Sequence, residues 1–334
     1  MIANKQIWLP AGLPCVTTID TSTYELAKWK ALSCKKRLLI LNLMPVKQDT
    51  EEDIVRTLAA CDVEVQVVFI KIKGQKYKTT PQAHMDAFYL DFEAVEPYQF
   101  ERMIITGAPL EQMPFEQVRY WSQLQHIMHW ADTHVERTLY ICWGAQAGLY
   151  EHYGIQKFAL AEKMFGIYVQ NVLEPDDVLM RNLAPSFKMP NSRHTEVRVA
   201  DIVAHKSDDL RLLALSDESG VGVAATHDAR RTFIVGHLEY NPNTLHNEYH
   251  RDLLVHPSVG VEVSKNDCGD ADGGDDCRDV PEGGHDEIDD EGKRDDLVEH
   301  DGLVEARRLR HRHVYDAGAV GQLGQYAKRG HGRF

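Results

Sequence analysis

The sequence predicts an α/β protein built on a mostly parallel sheet with helices on both faces. Three observations carry that expectation. Short apolar runs that end on turn residues recur along the chain: RLLILNLMP at 37–45, VEVQVVFIKI at 63–72 and MIITGAP at 103–109. Segments of helical period lie between them, and this alternation is the order that pairs strands in parallel through helical crossovers. The chain is also 43% hydrophobic over 334 residues, which is enough for a substantial core.

The elements follow in order. Residues 1–36 read as an N-terminal extension, and 37–255 as the enzyme domain. After the strand at 37–45, Asp49 or Thr50 is placed to cap a helix. Glu51, Glu52 and Asp53 then fall in its first turn, where acids favour the helix dipole, and Ile54, Val55, Leu58 and Ala59 form its apolar face. Residues 63–72 are a second strand. The third, at 103–109, breaks at Gly107 and Pro109. Residues 115–136 read as one long helix carrying Tyr120, Trp121, Leu124, Ile127, Met128 and Trp130. TLYICWGAQAG at 138–148 is a strand running into a turn and a helix. VGVAAT at 221–226 and TFIVGH at 232–237 have hairpin spacing. No internal repeat is evident.

Composition excludes several classes. A net charge of -14 argues against a general nucleic-acid binder, which needs a basic face. The six cysteines (Cys15, Cys34, Cys61, Cys142, Cys268 and Cys277) form no C-x-x-C pair. A disulfide framework is therefore not expected, no zinc spacing appears, and a reducing cytoplasm fits best. The N-terminus lacks a signal-peptide pattern, and no apolar run reaches the roughly 18 residues of a membrane span. Residues 256–334 change character, acidic first and then basic. Between 266 and 300 there are fifteen Asp or Glu against three Lys or Arg. Such a composition cannot offset ordering entropy by burial, so a disordered or weakly ordered tail is expected.

The chemistry concentrates at YICWGAQAG, 140–148. A β-branched and aromatic run ends at Cys142, and Gly144 and Ala145 permit a tight strand-to-helix turn that lifts the thiol from the sheet. Amides at the helix start lower a thiol pKa and can hold an oxyanion. Spacing alone leaves a buried apolar cysteine equally open. The segment GHLEY, 236–240, supplies partners. Residues two apart in extended backbone share a side, so His237 and Glu239 lie together at the carboxyl rim of the sheet, where ligands bind. His237 then takes the thiol proton and Glu239 orients the imidazole. The loop TGAPLEQ at 106–112 can complete the oxyanion hole through its backbone. Lys163, Ser192, Arg193 and Arg251 are further polar candidates, suited to a carboxylate or to phosphates where they are basic. These features support a Cys-His-Glu enzyme and leave acyl transfer and amide hydrolysis both open. C-x-G-x-Q followed much later by H-x-E also resembles the class I glutamine amidotransferase pattern.

Longer strings are more specific. ILNLMP (40–45), IITGAPLEQ (104–112), ICWGAQAGLY (141–150), EKMFG (162–166), SRHTEV (192–197) and EYHRD (248–252) resemble the homoserine O-acyltransferase family of methionine biosynthesis, in the family's order. The resemblance covers about residues 37–253. It implies a class I glutamine amidotransferase-like, flavodoxin-like fold. It implies Cys142 as the acyl-accepting nucleophile, His237 as general base, Glu239 as its supporting acid, and Lys163, Ser192 and Arg251 as substrate contacts. The backbone of Leu110 and Trp143 would hold the oxyanion. The implied route is ping-pong: acyl-CoA acylates the cysteine, CoA leaves, and the hydroxyl of L-homoserine attacks the thioester. In the family, position 111 tracks the acyl donor, glycine with succinyl-CoA and glutamate with acetyl-CoA, so Glu111 implies acetyl-CoA. The substrates are small molecules, with no cofactor, metal, nucleic acid or membrane, and a homodimer is the assembly common in the family. Succinyl transfer, serine as acceptor and a glutamine amidotransferase are the alternatives. Two departures stand out. Leu238 replaces the family's usual proline between His and Glu, an expected loosening of that turn. From about residue 254 the family's aromatic-rich ending is missing, as a reading-frame shift would produce.

Overall fold

The computed structural model describes residues 6–15, 19–32, 36–61, 63–181, 183–205 and 209–255. Expectations about the tail at 256–334, and about Cys34, Cys268 and Cys277, lie outside the described residues. In chain order the first half comprises β1 (Gln6–Pro10), β2 (Ser22–Tyr24), β3 (Arg37–Leu41), α1 (Lys47–Ala59), β4 (Glu64–Lys71), α2 (Gln82–Phe88), β5 (Tyr89–Asp91), β6 (Phe100–Ile105), α3 (Trp121–His134) and β7 (Val135–Ile141). The second half comprises α4 (Trp143–Tyr153), β8 (Phe158–Val172), β9 (Ser186–Glu196), α5 (Val199–Ala204), β10 (Leu210–Ser216), β11 (Gly220–Thr226), β12 (Arg231–Ile234) and α6 (Pro242–Val255). The larger of two compact units takes in the described residues up to Glu248. The described part of the second unit, from Tyr249, is the end of α6.

All the strands join one sheet in the order β2-β1-β4-β3-β6-β7-β12-β11-β10-β8-β9, with β5 also against β4. Pairing is parallel from β2 across to β12 and antiparallel from β12 to β9. The fold is therefore the α/β, mostly parallel arrangement that the apolar runs predict. Both faces are covered. Leu39, Leu41, Val68 and Ile70 face one side with Leu124, Ile127 and Met128 of α3 and Ala145, Ala147 and Leu149 of α4. Leu38, Ile40, Val67 and Phe69 face the other with Ile54, Val55 and Leu58 of α1. Strands buried on both sides need apolar residues at every position, which is why these runs do not alternate with polar residues. Among the described residues no helix is long and apolar enough to cross a membrane.

Several elements differ from expectation for identifiable reasons. α1 begins at Lys47, ahead of Asp49 and Thr50, and no side chain of its own caps it. Instead the Lys47 N–H donates to Thr80 Oγ1 at 3.2 Å, so a distant hydroxyl satisfies an orphan amide. Of the three acids read as dipole partners, only Glu52 faces solvent, bonded to Arg56 one turn on. Glu51 and Asp53 are buried. Glu51 accepts from Tyr89 OH at 2.5 Å and meets His84 Nε2 at 2.8 Å. The helix read at 115–136 is broken: a single 3-10 turn at Phe115–Gln117 precedes α3, and Val118 between them is extended. Phe115 turns inward to stack on Trp121 and Tyr150, with centroids 5.1 and 4.7 Å away. Residues 6–31, read as an extension, supply β1 and β2 to the sheet. Trp29 there is buried against Phe100.

Candidate active site

Cys142 occupies the junction of β7 and α4. Its N–H donates to the Ile234 carbonyl at 2.8 Å, continuing the β7–β12 ladder, and its own carbonyl accepts from the Gln146 N–H at 3.1 Å, opening the helix. One residue thus ends a strand and caps a helix. Its backbone is forced to φ 52, ψ -116, in the left-handed half that non-glycine residues avoid. Such strain costs on the order of 1–3 kcal/mol and persists only where the surroundings over-determine it. The surroundings here are close. A Cβ on Gly144 would stand 2.6 Å from the Thr106 carbonyl, and one on Gly107 would stand 3.3 Å from Cys142 Cβ. Glycine at 144 lets the first turn of α4 press against the end of β6, and that contact holds the elbow in place.

His237 reaches the same rim from the neighbouring strand. β12 ends at Ile234, so His237 and Glu239 are not consecutive outward positions of an extended strand, as the sequence suggested. The chain bends instead. The Val235 N–H donates to the Gly222 carbonyl at 3.0 Å and the His237 N–H to the Pro190 carbonyl at 2.8 Å. A Cβ on Gly236 would lie 2.6 Å from that same Pro190 oxygen, so the bend passes where only glycine fits. Leu238 is buried in the apolar cluster of Met180, Phe187 and Met189. Burial of this leucine ties the turn to the core where proline would otherwise fix it, and His237 Nδ1 meets Glu239 Oε1 at 2.7 Å.

His237, Glu239 and Cys142 are all buried. Burial by itself disfavours a charged imidazole. The charges of Cys142 and Glu239, with hydrogen bonds to both, more than offset it and hold the His237 pKa well above the ordinary histidine value. Tyr240 stacks on the His237 ring, centroids 4.0 Å apart, and its hydroxyl donates to Glu248 Oε1 at 2.9 Å. Asp53 of α1 ties down the next stretch of chain. It accepts from the Asn241 N–H at 3.3 Å, from the Asn241 amide group, and from Thr244 Oγ1 at 2.8 Å. Burial pushes Asp53 up to about 7; the bonds from Thr244 and Asn241 oppose this, and the charge of Glu239 adds to it.

The remaining candidates fall in several places. Glu111 and Lys163 line one cavity of about 600 Å³, with Lys157, Glu162, His194 and Thr195. Lys163 lies where the β8–β9 register is interrupted, between Ala159 and Met164, and its ammonium stands 4.9 Å over the Phe165 ring. Ser192 is half-buried opposite Phe165 in that ladder. Arg193 beside it is buried, donating to Asn191 Oδ1 (3.2 Å), the Thr195 carbonyl (2.6 Å) and the Ser219 carbonyl (2.5 Å). Burial lowers its pKa, and the charge of Cys142 acts the other way. Thr195 also exchanges two hydrogen bonds with Gln146, linking the cavity wall to the first turn of α4. Arg251 belongs to the second unit, where it pairs with Asp252 at 3.2 Å.

The two backbone candidates differ. Trp143 opens α4, so its N–H is among those without an intrahelical acceptor. The Leu110 N–H is engaged by the Ala108 carbonyl at 2.8 Å. Among the described residues, His129, Asp132 and His152 bring possible metal ligands within 4.8 Å of one another. They gather around the far end of α4, and Arg231 already holds Asp132 Oδ1 at 2.8 Å. No sequence signal marked Lys157 or the anchoring role of Asp53, because both act on backbone or loop atoms far away in the chain.

The α/β fold thus places a thiol on a strained strand-to-helix elbow, with an imidazole beside it and a carboxylate behind. A family model described as homoserine O-succinyltransferase matches residues 16–270. A homoserine O-acetyltransferase of Bacteroides thetaiotaomicron is 48% identical over 266 residues, 77% of this chain and 85% of that protein. One of Bacteroides fragilis is 49% identical over 230 residues, 69% and 74% of the two chains. Among solved structures, a glutamine amidotransferase from Thermotoga maritima aligns with a TM-score of 0.47 at 13% identity, covering 67% of this chain and 86% of that one. The chain belongs to the homoserine O-succinyltransferase family and is an acyltransferase.

Proposed function

We propose that this enzyme is a homoserine O-acetyltransferase, moving the acetyl group of acetyl-CoA to the hydroxyl of L-homoserine through a Cys142 thioester, in the cytoplasm and for methionine biosynthesis. The observation that carries the mechanism is the position of His237 between Cys142 and Glu239, charged by both. A thiolate paired with an imidazolium is ready to attack. Cys142 Sγ adds to the thioester carbonyl, and the oxyanion is received by amides at the start of α4. The carbon–sulfur bond to CoA breaks, and the CoA thiolate takes the His237 proton. His237, now neutral, accepts the homoserine hydroxyl proton as that oxygen attacks the acyl-enzyme. Cys142 leaves as thiolate, and the ion pair is restored. Glu239 keeps the ring oriented and stabilises its charge at each protonation.

The acetyl assignment rests on Glu111, whose carboxylate shares the cavity with Lys163. A carboxylate there repels the free carboxylate of a succinyl group while leaving acetyl unaffected. The relatives named homoserine O-acetyltransferase agree with that reading. Mass spectrometry of the Cys142 peptide after mixing with acetyl-CoA is the test. One added acetyl group, discharged by L-homoserine and faster than discharge by L-serine, is the expected result. An unmodified Cys142 in folded protein, or faster acylation by succinyl-CoA, would refute the mechanism or the donor respectively.

A further inference from the structure

Glu111 lies on the loop between β6 and the 3-10 turn at Phe115, and side-chain chemistry on a loop is only as selective as the loop is fixed. Within the loop the Leu110 N–H bonds back to Ala108 and the Met113 N–H to the Leu110 carbonyl at 3.1 Å. The outward carbonyls turn to a single cation. Lys157 Nζ donates to the Leu110 carbonyl at 3.4 Å, to the Met113 carbonyl at 2.6 Å and to the Glu111 carbonyl itself. An ammonium has three protons, and three carbonyls take them here. The same ammonium stands 4.6 Å over the Phe115 ring, the residue at which the loop rejoins the core. On its own side, Lys157 lies between the left-handed cap of α4 at Gly154 and the start of β8, so the helix that carries Cys142 sets its reach.

We propose that Lys157 is a positioning residue for acyl-donor selection: it clamps the 110–113 backbone so that the Glu111 carboxylate faces the donor cavity that both residues line. This rests on the reading of Glu111 as the donor discriminator. The clamp works through backbone carbonyls, so it does not depend on the loop's side chains. Half-buried, Lys157 has its pKa lowered to about 8 by burial, with Glu111 and Glu116 opposing.

The test uses the full chain with K157M and K157R. Two readouts are taken: the ratio of kcat/KM for acetyl-CoA over succinyl-CoA, and hydrogen exchange in the peptide spanning 107–117. In K157M the ratio is expected to fall by about tenfold and exchange in that peptide to rise, while K157R, which keeps charge and donors, retains most of both. If K157M does not fold, K157Q replaces it. A merely structural lysine lowers both rates together and leaves their ratio unchanged; that result, or unchanged exchange, overturns the proposal. If the parent enzyme is acylated by neither donor, the reading of function fails, and the exchange data still decide whether Lys157 clamps the loop.

Discussion

At the scale of single residues, the enzyme's chemistry depends on charge placed in a dry site. His237 has its pKa held well above the ordinary value by Cys142 and Glu239, in a place where burial alone would lower it. Its folded pKa is raised above the unfolded value, so the stability it contributes is complete below about 6.5 and is lost as pH rises through the folded value. Catalysis follows the same sign. In the proposed mechanism the acylation step needs the His237 proton for the departing CoA thiolate, so its rate should fall on the alkaline side as that proton is lost, in addition to an acid limb where the Cys142 thiolate is protonated. Rapid-quench acylation across pH checks this, and a fall confined to pH below 7 would contradict it. His237→Asn should slow acylation by about 10²–10⁴-fold with little change in fold by circular dichroism. If the cavity lined by Glu111 takes the acyl donor as proposed, Glu111→Gly should raise kcat/KM for succinyl-CoA relative to acetyl-CoA by about tenfold or more. Cys142, Glu111 and Lys163 stood out in the sequence because each sits in a dense, distinctive string. Lys157 and Asp53 did not, because their partners are carbonyls, amides and a hydroxyl 44 to 191 residues away.

At the scale of elements, glycines and buried acids decide where helices and turns sit. Gly144→Ala places a methyl group 2.6 Å from the Thr106 carbonyl, a backbone atom that cannot swing aside. α4 must then retreat from β6 and carry Cys142 with it. A stability loss of about 1–3 kcal/mol in denaturant titration is expected, with a larger proportional loss of kcat than of acetyl-CoA affinity. Asp53 joins α1 to the start of α6. Its pKa of about 7 lies above the ordinary 3.8, so the folded state binds more protons than the unfolded chain between those values. Stability from this group therefore declines as pH rises from about 4 to about 7. The difference in unfolding free energy between Asp53→Asn and the parent should shift in favour of the variant over that range, because asparagine keeps an acceptor for Thr244 without the charge. A difference independent of pH would show that Asp53 is not the titrating group. The sequence placed Glu51, Glu52 and Asp53 in the first turn of α1, but the helix opens at Lys47 and only Asp49 falls there; Glu51 and Asp53 are buried anchors instead.

At the scale of the whole molecule, Cys142 and His237 meet because β12 pairs with β7 in parallel, joining Ile234 to Ile141 across most of a hundred residues of intervening chain. The intervening strands β8 to β11 are antiparallel, and they return the chain to the centre of the sheet. Loss of Cys142 acylation on denaturant titration should therefore coincide with loss of the far-ultraviolet sheet signal. An earlier loss would mean that the site opens without the sheet. The sequence by itself determined the α/β class and the acyltransferase family, and it pointed to Cys142, His237 and Glu239 as neighbours, because buried parallel strands and distinctive short strings demand particular residue types at close spacing. β1, β2 and the long β8–β9 pair were not readable, since half-exposed or very short strands have no strict apolar pattern. Only the tertiary structure decided which acids are buried, that the His237 turn is anchored by Leu238, and that Lys157 holds the Glu111 loop. Those outcomes depend on desolvation and on contacts between residues distant in the chain, and local sequence encodes neither.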